Sequence, residues 1–401
     1  MVHSMRLDIP HYYYKNTPYF SREDVLEAML RNNDFNTDIE FRFADELFDR
    51  IDWTKDIDIN IRTLYKMRAT QLREKYSYLI LAFSGGSDST QILNTFLNNK
   101  IFIDEIQVVH HEKLVSKLDE NIILKNNEMN ALLEYKYAVQ PMLNRVAKES
   151  PNTKITTLDA SDFSWNQFTT GKVATLFGEK DLPSAANHRV FSLMPMVYQY
   201  YMNRHNMLSG THNAAMIRGF EKPILIFDDM YDDVLLFCFS DMAIYSHMNT
   251  YTQHFAIEDF YWSADAPLIP VKQSHLIKKE LETNKDFYEK FYNSKKKMRE
   301  HTDSNSYSPA FMIERELSRI IYPDFNPRIF AGGKTVRTAA ELLAIENFNQ
   351  KTPTKQIITE YGESKLSRYK QFKNQKQLRQ ILYTKHYVVG HLNFKWKKFD
   401  V

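Results

Sequence analysis

Residues 84–90 read Ser-Gly-Gly-Ser-Asp-Ser-Thr, a stretch with many hydrogen-bonding groups and almost no side-chain bulk. Gly85 and Gly86 are two of only ten glycines in the 401-residue chain. Two neighbouring residues without Cβ let the backbone turn tightly and let a ligand come close to the main chain. Ser84, Ser87, Ser89 and Thr90 add hydroxyls. A helix starting near Asp88 would aim its first-turn N–H groups at the same spot. Together these make a cradle for concentrated negative charge such as phosphate. Asp88 would repel a bare phosphate. It fits a Mg²⁺ ion held between carboxylate and phosphate, or a helix cap, and both readings stay open. The stretch lacks the lysine of G-x-x-x-x-G-K-[ST] and is not G-x-G-x-x-G.

Further candidates lie downstream. Val109, His110 and His111 close a second apolar run, as a ligand-facing strand end or as a polar edge without a role. Gly210, Thr211, His212 and Asn213 lie at the end of a fourth short strand candidate. Arg218, Glu221 and Lys222 come next, in what reads as a polar loop facing either a substrate or solvent. Lys272 and His275 open a helical pattern after Trp262 and Pro267. The 13 histidines show no H-E-x-x-H or other metal-ligand spacing, which leaves Mg²⁺ as the only metal implied.

These residues need elements to hold them. "YLILAF", residues 78–83, is continuously apolar, as expected of a strand buried on both faces. "SDSTQILNTFLNN" after it reads as a helix. Residues 103–112 and the β-branched run 154–161 are two more strands, with a helical stretch over about 120–149 interrupted at Pro141. Residues 188–206 read as helix, and 206–214 as a fourth strand ending at Gly210. Strand–helix alternation at this spacing predicts an α/β fold with a doubly wound, parallel sheet. Residues 222–239 predict two strands around an acidic turn. The first 75 residues read as helical, with Ser21 and Asp24 close to a capping box and Ile61, Leu64, Met67 and Leu72 at helical spacing. Residues 240–401 read as mostly helical.

An apolar strand, S-G-G-x-D-S, a helix and a βαβ continuation together resemble the ATP pyrophosphatases, the PP-loop group of adenine nucleotide alpha hydrolase-like proteins. The resemblance covers roughly residues 55–275. It is nearest to asparagine synthetase-like synthetase domains of the kind encoded by bacteriophages. It implies a mostly parallel, five-stranded Rossmann-like sheet over 76–275, a helical extension over 1–75 and a mostly helical basic region over 276–401. It also implies an AMP-forming ligase. ATP, with Mg²⁺ on Asp88, would be gripped by Ser84, Gly85, Gly86, Ser87, Asp88, Ser89 and Thr90. Val109 and His110 would line the adenine through the backbone, Gly210 would lie near the α-phosphate, and Lys272 would neutralise departing pyrophosphate. A carboxylate or carbonyl oxygen would be adenylated and then joined to a nitrogen nucleophile.

The departures from that group are informative. Val2 stands where a glutaminase domain would place its nucleophilic cysteine, so ammonia would come free or from a separate donor. A lone cysteine, Cys238, argues against thiolation chemistry and a four-cysteine zinc site. It also makes a reducing, cytoplasmic setting the default. No apolar run is long enough for a membrane span. The 43% hydrophobic and 25% charged content suits a protein that fills a sizeable core. Charge is uneven: residues 271–401 carry 26 basic and 14 acidic side chains, against 26 and 36 before them. That basic region reads as a solvated surface or as a dock for polyanions, which keeps nucleobase and transfer RNA acceptors open. A nucleotide sensor without turnover is the other alternative.

Overall fold

The computed structural model describes residues 10–19, 39–110, 135–160, 213–219, 223–228, 233–239, 256–300, 310–326 and 384–396, with shorter pieces at 25, 28–29, 31–34, 37, 173–175, 178–180, 203 and 230–231. The chain divides into two compact units that interleave along the sequence. One comprises 1–71, 218–325 and 371–401, the other 72–217 and 326–370.

A five-stranded, all-parallel sheet is the central element. Its strands are β1 (Tyr78–Ala82), β2 (Glu105–His110), β3 (Lys154–Asp159), β4 (Ala214–Arg218) and β5 (Ala256–Asp259), in the spatial order β5-β4-β1-β2-β3. Leu79, Ile80 and Leu81 of β1 are fully buried, as their unbroken apolar run predicts. Registers place Leu81 beside Ile106 on one side and Ile217 on the other. The chain builds outward from β1 through β2 to β3, then returns to β1's other flank with β4. The strand order therefore reverses at β1, the topological switch point at which open α/β sheets bind ligands.

Helix α1 (Ile61–Lys75) leads into β1. Helix α2 (Ser87–Asn98) follows it, and α3 (Gln140–Glu149) precedes β3. α2 buries Ile92, Leu93 and Phe96. It ends where Lys100 takes a left-handed φ of 56°, with the Lys100 and Ile101 N–H groups donating to the Leu97 and Phe96 carbonyls. This pair of bonds is the Schellman closure of a helix. Arg145 of α3 ties the two helices by donating to the Asn94 and Asn98 side-chain oxygens at 2.7 and 2.9 Å. Pro141 sits in the first turn of α3, directly after a π-helical turn over Tyr135–Val139, so the expected helical stretch changes form at the proline; its part before Tyr135 lies outside the described residues. At the opposite end of the strands from the glycine loop, the buried Glu105 carboxylate accepts from Tyr78 and Thr156 at 2.8 and 2.7 Å.

The other unit starts with a three-stranded antiparallel sheet of His11–Tyr14, Thr17–Tyr19 and Glu40–Arg42. Helical character over 1–75 therefore holds in part: for α1, for the short helix Asp45–Phe48 and for the described residues 25, 28–29 and 31, but not for these three strands. Lys15 and Asn16 both take positive φ, the two-residue turn that matches strand twist in a hairpin. The expected pair of strands around the acidic turn is present as Ile224–Phe227 and Val234–Cys238, with Tyr387–His391 added beyond it. Trp53 lies between Phe237 and Tyr387, stacked on them at 4.7 and 4.8 Å. Helices α4 (Leu268–Thr283), α5 (Lys285–Glu300) and α6 (Ala310–Ile321) follow in this unit. Among the described residues no helix is long and apolar enough to cross a membrane.

Candidate functional site

β1 leaves the sheet where the Phe83 N–H donates to the Gln107 carbonyl at 2.8 Å. Ser84 follows and is exposed. Gly85 then takes a φ of 78°, which only glycine adopts without strain, and this fixes the turn. Gly86, in extended conformation, is the N-cap of α2 and gives it no side-chain cap. The sequence spends its glycines here because the chain must reverse from strand to helix within two residues.

The hydroxyls brace the loop from within. Ser84 Oγ accepts the Gly86 N–H at 3.2 Å and lies 3.2 Å from Ser89 Oγ. Ser89 Oγ also accepts the Ser84 N–H and donates to the Gly86 carbonyl, at 3.3 and 3.2 Å. Thr90 Oγ1 donates to the Gly85 carbonyl at 3.3 Å. Ser89 and Thr90 are buried. The expected hydroxyl donors thus hold the turn's shape, while first-turn amides of α2 supply the positive end of the helix dipole. Asp88 lies in that first turn, 9% exposed. A carboxylate there suits the dipole without further help. No group of three or more His, Cys, Asp or Glu able to hold a metal occurs among the described residues. One carboxylate fits Mg²⁺ only in the form in which substrate phosphates and water supply the other ligands.

β2 runs past the point where β1 turns away. Backbone groups alternate sides along a strand. The Gln107 carbonyl faces β1, and the His110 carbonyl accepts from Ala160 beside β3 at 2.7 Å. Val109 therefore turns its main-chain groups to the side that β1 has left. The His110 ring stacks face to face on Tyr135, with centroids 3.7 Å apart and planes 10° apart. Tyr135 opens a π-helical turn, Tyr135–Val139, ahead of α3. Sequence reasoning passed over Tyr135. A tyrosine within the crossover that follows a histidine-tipped strand is its only local signal.

Several expected candidates lie elsewhere. The fourth sheet strand is Ala214–Arg218 rather than a segment ending at Gly210. Tyr78 pairs with Ala214, so Asn213 is at the N-terminal end of the strands, opposite the glycine loop. There its side chain donates to the Lys75 carbonyl, and its N–H donates to Ser77 Oγ at 2.8 Å. Arg218 is no polar-loop residue. It is 2% exposed, and its Nε and Nη2 reach the two oxygens of Asp259 at 3.0 and 2.9 Å. Burial pushes the Asp259 carboxyl up, and the Arg218 guanidinium opposes that shift. Next to it, Arg68 Nη2 donates to Glu258 at 2.8 Å. Two acids at a strand end are tolerated because two buried guanidiniums meet them.

Lys272 sits in the first turns of α4, in the unit that does not contain the glycine loop. Its Nζ donates to both Asp56 oxygens at 2.9 and 3.1 Å and to the Ile57 carbonyl at 2.8 Å. One turn on, the buried His275 Nε2–H donates to the Trp53 carbonyl at 2.9 Å, and burial lowers its pKa. Cys238 is buried, as expected of a core-facing thiol. His111, Gly210, Thr211, His212, Glu221 and Lys222 lie outside the described residues, as do Ser21, Asp24 and the 188–206 segment apart from Asn203. No family model matches the chain, and neither curated proteins nor solved structures give a significant match.

Proposed function

We propose that this chain is an ATP-dependent, AMP-forming ligase of the PP-loop kind. The observation that carries the reading is the Gly85–Gly86 turn at the C-terminal tip of β1, where the strand order reverses and a helix begins. Backbone amides of α2's first turn would hold the β- and γ-phosphates, which become the leaving group, while the Ser84 and Gly86 N–H groups are taken up inside the loop. A substrate carboxylate or carbonyl oxygen attacks the α-phosphorus. The bond from that phosphorus to the bridging oxygen breaks, and pyrophosphate departs with its electron pair. A nitrogen nucleophile then attacks the activated carbon and AMP leaves. Fixed donors that need no rearrangement as charge builds on the leaving group are the economical way to speed such a step. Ser84, Ser89 and Thr90 contribute by fixing the amides. Asp88 would hold Mg²⁺, which neutralises phosphate charge. On the resemblance, Lys272 would meet pyrophosphate, for which its ammonium must exchange Asp56.

Incubation of the protein with ATP, Mg²⁺ and a cell extract tests the reading. AMP and pyrophosphate should appear together, and Asp88→Asn should remove that turnover. ADP with orthophosphate would contradict the cleavage position. A melting temperature raised by ATP without cleavage would favour a sensor instead.

A further inference from the structure

The His110–Tyr135 pair has no part in gripping phosphate, yet it stands at the same end of the sheet as the glycine loop. β2 continues three residues beyond Gln107, the last residue that β1 contacts, which carries His110 about 10 Å further along the strand direction. Both rings are half-buried, so each is held by its surroundings and still reaches the surface. Their near-parallel contact at 3.7 Å makes a flat, rigid π-surface. The π-helical turn that begins at Tyr135 is an uncommon backbone form, often found at functional sites. It sets Tyr135 against the strand tip, so the crossover and not the sheet supplies the second ring.

The geometry points to Tyr135 as a positioning residue for base binding: stacked on His110, it holds that ring as a platform for the base of a nucleotide whose phosphates lie in the glycine loop. This rests on the nucleotide reading given above and adds a side-chain device to it. Strand-end backbone can hydrogen-bond the edge of a base, but it offers little to the face. An aromatic pair offers the face, and stacking on a planar ring distinguishes a nucleotide from a bare polyphosphate. Tyr135 acts through His110 by holding its ring flat, so phenylalanine should replace it.

The test is calorimetric titration of wild type, Tyr135→Ala and Tyr135→Phe with ATP and, separately, with inorganic tripolyphosphate, each with Mg²⁺. Tyr135→Ala should bind ATP roughly tenfold more weakly, as expected when the His110 ring is no longer held for its stacking contact with the base, and tripolyphosphate as wild type does. Tyr135→Phe should restore ATP binding. If Tyr135→Ala binds ATP like wild type, the platform is refuted while the phosphate cradle stands. If Tyr135→Ala weakens both ligands equally, Tyr135 supports the fold and not the base, and the proposal falls. If wild type binds neither ligand, the nucleotide reading itself fails and the platform with it.

Discussion

At Gly85 a single dihedral angle decides whether the loop can exist. A φ of 78° is open to glycine, reached at some cost by asparagine, and strongly disfavoured for a β-branched residue. Gly85→Val should therefore open the turn that Ser84, Ser89 and Thr90 brace. Gly85→Asn should keep it, at a cost of about 1 kcal/mol. Thermal melts with and without ATP and Mg²⁺ read the difference. The nucleotide-induced rise should vanish in Gly85→Val and persist, reduced, in Gly85→Asn. Equal rises in both variants would show that the turn does not form the cradle. This part of the site was legible in the sequence because it is local. Strand, glycines and helix follow one another within twenty residues, and each carries its own signature. The roles of Ser89 and Thr90 were not legible, because which way a hydroxyl points depends on the turn that the glycines make. Arg218 failed for the opposite reason. Read alone, a cation after an apolar run and before Gly219 is a loop residue, and only its distant partner Asp259 makes it an interior one.

At the scale of elements, sequence reasoning was strongest for continuous apolar runs and weakest for strands stabilised by distant charges. β1, β2, β3 and the hairpin strands were all expected. β5 was not, since Glu258 and Asp259 end it and acids are poor strand formers. Its acids become tolerable only because Arg68, 190 residues earlier in the chain, donates to Glu258. Removing that partner should be costly. Arg68→Met leaves Glu258 buried without its cation, a loss of about 3–5 kcal/mol. Arg68→Met with Glu258→Leu should recover most of it. Urea melts of the single and double variants measure the coupling, and additive losses would deny it. The N-terminal hairpin was legible in principle: aromatic residues on either side of Lys15–Asn16 are a strand–turn–strand pattern that the helical reading passed over. His275 links α4 to the segment carrying Trp53. Its folded pKa lies below the ordinary value because burial disfavours the charged ring, with the Trp53 carbonyl and then Asp56 opposing that effect and Lys278 and Lys272 adding to it. The unfolded chain therefore takes up the proton first. Stability is full above about pH 6.5 and is lost as pH falls through the folded pKa. His275→Gln should flatten the fall in melting temperature between pH 7 and pH 5, and an unchanged slope would exclude His275 as its source.

At the scale of the molecule, the chain does not keep its units in separate stretches. The unit with the aromatic core draws on residues 1–71, 218–325 and 371–401, and the unit with the glycine loop on 72–217 and 326–370. The resemblance sets out a contiguous nucleotide domain over 76–275, a natural fragment to express alone. That fragment lacks Arg68, which meets Glu258, and Trp53, which stacks on Phe237. It also lacks the Tyr387–His391 strand, whose loss leaves the Val234–Cys238 strand with an uncovered edge. An apolar strand edge without its neighbour is a template for association. The fragment should therefore aggregate or melt without a cooperative transition, while the full chain melts cooperatively. Adding residues 53–75 alone should not rescue it, because the edge of Val234–Cys238 would still be open. A longer piece, 53–396, should be soluble, since it restores the strand, the stack and the buried ion pair together. Sedimentation and thermal melts of the three pieces decide it. A monomeric, cooperatively melting 76–275 fragment would mean that the interleaving is incidental and that the sheet carries its own stability.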